Sequence, residues 1–242
     1  MKITSHMMSL SGKVALVTGG SVGKELARAF LEAGSKVAFI YRNAGREAGL
    51  RDSFGKYAES ADLIRADLSN FDEAKDAVRS AASRFGGIDF LLNSLGGWIG
   101  GKKLHEHTPS ELSQMLSIDV LPTFNIMSAV MPVMIKRRFG RIVNFVSMQV
   151  YGTGAGSSVY SASKSAILAL TRAAAEEYKD YGVSVYGIAP SVIDTPGNRK
   201  SMPNADTGKW VKIQEIVDSI LFLCGTGESL NGTILKFPGK LQ

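Results

Sequence analysis

A chain of 242 residues, 45% hydrophobic and 21% charged, has the size and balance of one globular α/β domain and excludes disordered and fibrous classes. Its net charge of +6 comes from scattered Lys and Arg, with Lys136-Arg137-Arg138 the longest cluster. No basic stripe interleaves with aromatics, so nucleic acid is not an expected partner. The single cysteine, Cys224, rules out an internal disulfide and fits a reducing, cytoplasmic setting. No run is read as approaching the ~20 apolar residues of a membrane span, and the N-terminus lacks the apolar core of a signal peptide. Residues 1–7 match no element and are expected to be a leader or disordered, which leaves one domain over 8–242.

In chain order, Val14–Val17 is a first strand and Glu25–Ala33 a first helix, with Leu26, Ala27, Phe30 and Leu31 on one face. Strands follow at Val37–Ile40, Leu63–Ile64, Phe90–Leu92, Ile142–Val146, Val183–Ile188 and Ile234–Phe237. Helices fall at Phe71–Phe85, Ser110–Lys136, Ser158–Asp180 and Ile213–Leu223, with Gly34, Gly86-Gly87, Gly140 and Gly182 marking helix ends. The strand runs are short and continuously apolar, as strands covered on both faces should be. Strands alternating with helices predict right-handed βαβ units: an α/β, doubly wound, seven-stranded parallel sheet with helices on both faces. Ligands of such sheets sit beyond the carboxyl ends of the strands, so the polar residues there are the ones to inspect.

After the first strand comes Thr18-Gly19-Gly20-Ser21-Val22-Gly23. It resembles a glycine turn that cradles a dinucleotide, but its spacing is short. Either Gly23 takes the second glycine position with Glu25 at the third, or Gly23 takes the third and two residues are missing. The second is favoured, because it keeps the helix register and places Glu25 in the first turn. In both, amides near Ser21–Gly23 form an anion site at a helix N-terminus. Arg42 ends the second strand where a carboxylate would select a ribose 2′-hydroxyl; its guanidinium suits a 2′-phosphate and favours NADP over NAD. Asp67, beside Leu68, ends the third strand and could accept from an adenine amino group; Asn93 and Gly96 end the fourth.

The strongest signal is Tyr160-Ser161-Ala162-Ser163-Lys164 in an Ala-rich helical segment. Tyr160 and Lys164 share one helix face. A phenol of pKa ~10 is a poor proton carrier near neutrality, and a nearby ammonium is expected to lower it toward the working pH. Ser147 ends the preceding strand, where its hydroxyl could bond a carbonyl oxygen that gains charge.

With these motifs, and with Asn93-Ser94-Leu95-Gly96 and Ala189-Pro190-Ser191-Val192-Ile193-Asp194-Thr195, the chain from about Leu10 to Gly239 resembles a classical short-chain dehydrogenase/reductase. It is similar to the 3-oxoacyl-acyl-carrier-protein reductase and carbonyl reductase branch. The resemblance implies a Rossmann-type fold and an NADP-dependent oxidoreductase moving hydride between nicotinamide and a carbonyl or secondary alcohol. It implies that Tyr160 is the acid in reduction and the base in oxidation, that Lys164 also holds the nicotinamide ribose, and that Ser147 orients the carbonyl. It further implies that Pro190, Ile193 and Thr195 meet the carboxamide or diphosphate. Asp119 aligns with the asparagine that completes the family's catalytic tetrad; an ionised carboxylate can only accept, so the proton relay needs another polarity or a protonated acid. Pro122 follows and should kink the helix, freeing the carbonyl of Ile118.

Trp98, Met148, Val150, Tyr151, Ser191, Val192, Met202 and Trp210 are candidate pocket residues, mostly apolar or aromatic, which suits an apolar ketone or 3-oxoacyl carbonyl, possibly carried on a protein. Thr195–Lys209 reads as a mobile lid, within 195–210. His105 and His107 have no metal-ligand spacing, and no metal is expected. The two long helices are expected to pair in a homodimer or homotetramer, as in the family. The alternatives are an NAD-linked alcohol or sugar dehydrogenase, and a non-catalytic nucleotide-binding scaffold on the same fold.

Overall fold

In the computed structural model, which describes residues 8–152, 154–225 and 228–240, seven parallel strands pair in the order β3-β2-β1-β4-β5-β6-β7. They are β1 (Val14–Gly19), β2 (Lys36–Tyr41), β3 (Ala61–Arg65), β4 (Phe90–Ser94), β5 (Gly140–Phe145), β6 (Val183–Pro190) and β7 (Ile234–Phe237). The expected leader, residues 1–7, lies outside the described residues. Successive strand residues point to opposite faces, and the apolar runs divide accordingly. Ala15, Val17, Phe39, Leu92 and Ile188 pack on one face with α1 (Ser21–Glu32), α2 (Glu47–Phe54) and α8 (Ile213–Gly225). Leu16, Ile40, Leu91, Ile142 and Val185 pack on the other with α3 (Phe71–Phe85), α5 (Leu121–Arg137) and α6 (Ser158–Tyr178). Burial on two faces, at about 25 cal/mol per Å² of apolar area, is what holds the layers together.

Local signals set the helix ends. Asn70 caps α3 by accepting from the amides of Asp72 and Glu73, both acidic in the first turn, and Gly86 closes it with φ 82°. Elsewhere the structure corrects the sequence reading. The first helix begins at Ser21, so Glu25 is its fifth residue and lies beyond the first turn. The helix α2 has no strong apolar period and was not foreseen. Gly140 opens β5 rather than closing a helix; Arg138, at φ 49°, supplies the left-handed cap of α5.

The helix expected over 110–136 is three pieces: α4 (Pro109–Met115), a π segment (Leu116–Val120) and α5. Pro122 has no N–H to give, and the ladder widens so that the Leu121 N–H donates to the Leu116 carbonyl. The stretch Pro109–Arg137 does reach the length and mean hydropathy (1.6) of a membrane span, against the sequence reading, and half of that window is buried inside the fold. Its buried apolar residues Ile126, Met127, Val130, Met131 and Met134 pack with α3 and the sheet as a core helix does.

Candidate active site

Strand order reverses between β1 and β4, and a cleft of about 340 Å³ opens there, lined in part by Gly19, Gly20, Arg42, Arg46, Asp67 and Gly96. The glycine turn is reduced to a single residue. Strand β1 runs to Gly19, at φ 113°, and α1 starts at Ser21, leaving Gly20 as an N-cap with no side-chain partner. A Cβ on Gly23 would lie 2.5 Å from the Thr18 carbonyl oxygen. Gly23 therefore sits where the helix presses on the strand, the place of the last glycine in the fingerprint, which matches the alignment with two residues missing. The Ser94 hydroxyl donates to the same Thr18 carbonyl at 2.6 Å and braces the shortened turn. The amides of Ser21, Val22 and Gly23 have no partner among the described residues and project from the start of a 12-residue helix. They fit a phosphate.

At the far end of the cleft Arg42 is exposed, and Arg46, the residue before α2, lines the same cleft. Arg46 was missed in the sequence because α2 was. Asp67 accepts from the Ser69 amide (3.0 Å) and hydroxyl (2.8 Å). These bonds, with help from Arg42, hold its carboxyl below the usual range, so it remains an acceptor. Leu68 is buried beside it, with its carbonyl accepting from Asn125 Nδ2 at 2.9 Å. Asn93 is different. It is 2% exposed, accepts from Thr18 Oγ1 (2.9 Å) and donates to Asn144 Oδ1 (3.3 Å), so its side chain ties strands together inside the sheet.

On the opposite side, α6 presents Tyr160 and Lys164 together, and Ser147 follows β5 with its hydroxyl in hydrogen-bond reach of the phenol. Lys164 Nζ is 5.8 Å from the centre of the Tyr160 ring. The expected lowering of the phenol does not occur. Burial pushes Tyr160 up to about 12; Ser147 opposes this and the Asp119 carboxylate adds to it. Burial also draws Lys164 down, against Asp119, whose Oδ2 is 3.5 Å from Nζ. Asp119 is fully buried.

Around the mouth, Trp98 is 58% exposed and its ring lies 4.7 Å from that of Tyr160, tilted by 60°. A Cβ on Gly100 would collide with the indole, so glycine there makes room for it. Met148, Val192 and Tyr151 are half-buried, and Lys236 Nζ stands 3.8 Å over the Tyr151 ring. Trp210 is buried, only 5% exposed. The expected lid contains α7 (Pro196–Ser201), capped by Thr195 Oγ1 accepting from the Asn198 amide at 3.2 Å. Pro190 ends β6 and is buried. The Ile193 carbonyl accepts from Asn198 Nδ2 (2.8 Å), while its N–H has no partner among the described residues.

Three comparisons agree with this geometry. A short chain dehydrogenase family model matches residues 13–206. An uncharacterized oxidoreductase of Staphylococcus aureus strain MW2 is 27% identical over 214 residues, 85% of this chain and 91% of that one. A gluconate 5-dehydrogenase from Burkholderia cenocepacia, solved with NADP and tartrate, is 26% identical with a TM-score of 0.84, covering 96% of this chain and 95% of that one. An NAD+-bound xylitol dehydrogenase is 25% identical with a TM-score of 0.86, covering 95% and 99%. A family model that spans residues 13–206, most of the chain, with relatives that match over nearly its whole length, leaves a single conclusion: this chain belongs to the short chain dehydrogenases, a family of oxidoreductases.

Proposed function

We propose that this protein is an NADP-dependent reductase that converts an apolar ketone or 3-oxoacyl carbonyl to a secondary alcohol. The observation that carries the reading is the meeting of Tyr160, Lys164 and Ser147 beside a cleft whose far end holds Arg42 and Arg46. The bound nicotinamide would supply the hydride. Tyr160 gives its proton to the carbonyl oxygen, and Ser147 donates a hydrogen bond to that oxygen as it gains charge. Lys164 holds the ribose on the phenol side. The free amides of Ser21–Gly23 take the diphosphate, Asp67 the adenine amino group, and Arg42 with Arg46 the 2′-phosphate. Relatives of similar identity are solved with either NADP or NAD+; the two guanidiniums are the reason for choosing NADP here.

Trp98, Met148 and Val192 supply an apolar mouth for the substrate. Leu112, Leu116, Leu121 and Phe124 are 39%, 37%, 47% and 51% exposed along α4, the π segment and α5. A second copy of the chain would cover them, in a homodimer or homotetramer measurable by sedimentation.

The test is thermal shift with NADPH and NADH, then NADPH consumption across a carbonyl panel that includes free and carrier-bound 3-oxoacyl thioesters. NADPH should stabilise more than NADH, and an apolar carbonyl should turn over. Stabilisation by neither nucleotide at millimolar concentration would favour the non-catalytic scaffold. Turnover confined to polyols with NAD+ would favour the NAD-linked alcohol or sugar dehydrogenase.

A further inference from the structure

Trp98 stands alone as an aromatic in the run Leu95-Gly96-Gly97-Trp98-Ile99-Gly100-Gly101. The backbone on either side of it is tied down. The Gly97 amide donates to Asp119 Oδ1 at 2.9 Å, and the other oxygen of that carboxyl is 2.8 Å from the Ser163 hydroxyl. The Gly101 amide donates to the Gly156 carbonyl at 2.6 Å, on the loop before α6. The ring is held as well. A Cβ on Gly100 would lie 2.5 Å from Trp98 Cζ2, and on another side the Tyr160 ring is 4.7 Å away, centre to centre. Fixing a side chain costs entropy that burial normally offsets. Here 58% of the residue's surface is left to water. The indole is thus placed with care and then left uncovered, next to the phenol.

We propose that Trp98 determines substrate choice: its indole is a fixed aromatic platform, and the carbonyl compounds the site takes carry a planar aromatic ring close to the carbonyl. This rests on Tyr160 meeting the carbonyl, as proposed above, and narrows the apolar ketone of that reading to an aromatic one. With the two ring centres 4.7 Å apart, a carbonyl oxygen at the phenol hydroxyl brings its own substituents within reach of the indole. The rings are inclined by 60°, so they form a corner rather than a stack. A third ring can meet them edge-to-face or offset, and gains from their quadrupoles what a saturated group of the same size does not. A polyol would gain less, because its hydroxyls need hydrogen-bond partners that the Met148 and Val192 side chains at the mouth do not offer. The platform is in place before the substrate arrives, so little ordering is left to oppose binding.

The probe is a pair of ketones that differ only in the ring, 1-phenyl-2-propanone and 1-cyclohexyl-2-propanone. The carbonyl is conjugated in neither, so their intrinsic reactivity is alike. Reduction with NADPH or NADH should favour the phenyl compound, and Trp98→Leu should lower the ratio of the two kcat/KM values by about 2- to 10-fold, the worth of one aromatic pair. Trp98→Phe should keep most of the ratio. Gly100→Ala, which leaves the indole but takes its room, should lower the ratio too and serves if the leucine variant fails to fold. A ratio equal in the wild type and Trp98→Leu overturns the proposal, since the indole would then only cover Tyr160. Binding gives a second readout, free of turnover. The chain has two tryptophans and Trp210 is buried, so the difference in emission between the wild type and Trp98→Phe reports Trp98. That emission should shift to the blue with 1-phenyl-2-propanol, at a lower concentration than with 1-cyclohexyl-2-propanol. A shift with protein concentration alone would mean that a second copy of the chain covers the indole, and a shift with xylitol but with neither alcohol would mean that a polyol does; either overturns the proposal. Absence of any ketone turnover in the wild type would count against the reductase reading, while the alcohol titration would still decide the role of Trp98.

Discussion

The two ends of the cleft handle charge in opposite ways. At one end Arg42 is exposed, and its guanidinium acts through water. At the Tyr160 end Asp119 and Lys164 have side chains 0% and 4% exposed and meet at 3.5 Å. Exposed charges interact weakly and are screened by salt within about 8 to 10 Å. Buried charges interact strongly, and each depends on the other to remain folded. The solvated end can therefore change its choice of partner with little consequence for the fold. The buried end ties the stability of the domain to its ion pair.

The sharpest break of that contrast is Tyr160→Phe, which removes the proton carrier and no charge. Turnover should fall by about 10³-fold or more, within or beyond the usual range for a lost general acid. Nucleotide affinity, measured by fluorescence titration, should change only a few-fold, and full turnover would sink the assignment. The next largest effect is on stability. Lys164→Met leaves Asp119 a lone buried carboxylate, which costs about 3–5 kcal/mol and lowers Tm by roughly 10 °C in a chain of this size. Combining it with Asp119→Asn should regain most of that loss in a calorimetric scan. Equal losses in the single and double variants would mean that the ion pair is not the buried liability argued above.

The same contrast explains what was legible in the sequence. Strands were readable because continuous apolar runs bounded by glycine have few other uses, and all seven were located to within a few residues. Tyr160, Lys164 and Ser147 were readable because spacing on one helix and position after a strand survive folding unchanged. The sign of the phenol's shift was not. It depends on burial and on a carboxylate 41 residues upstream of Tyr160, and neither is encoded in local spacing. Asn93 looked like a cleft residue because it ends a strand, yet its amide points into the sheet, toward Thr18 and Asn144. Arg46 was invisible because the helix that presents it has a weak pattern. Ser163, inside the Tyr-Lys motif, could have been found by asking what fills the space between those two residues.

At the Arg42 end the expected effect is smaller and reversible. Arg42→Asp should invert the preference between NADPH and NADH, by roughly tenfold in relative kcat/KM. The inversion should shrink as salt rises toward about 0.5 M, because the charge acts through solvent. Arg42→Asp with Arg46→Ala should go further. A preference that survives high salt unchanged would place the discriminating group inside the fold, against the comparison drawn here.

The smallest effect should come from the segment around α7, where charges are again exposed. Arg199 donates to both oxygens of Asp194, at 2.6 and 2.9 Å, and Lys212 to Oδ2 at 3.2 Å. These bonds, led by Arg199, hold the Asp194 carboxyl down at about 2. A carboxyl depressed in the folded state contributes stability that is complete above its unfolded value of about 3.9 and is lost as pH falls through the folded one. Nothing should therefore change between about pH 5 and 9. Asp194→Asn should speed amide hydrogen exchange across Pro196–Ser201 while moving Tm by no more than about 2 °C, since exposed pairs stabilise little. High salt should reproduce the faster exchange in the wild type, whereas it should leave the buried Asp119–Lys164 pair untouched. If exchange in α7 does not respond to either change, the segment is held instead by neutral contacts: the Thr195 cap and the bond from Asn198 to the Ile193 carbonyl, which salt does not screen.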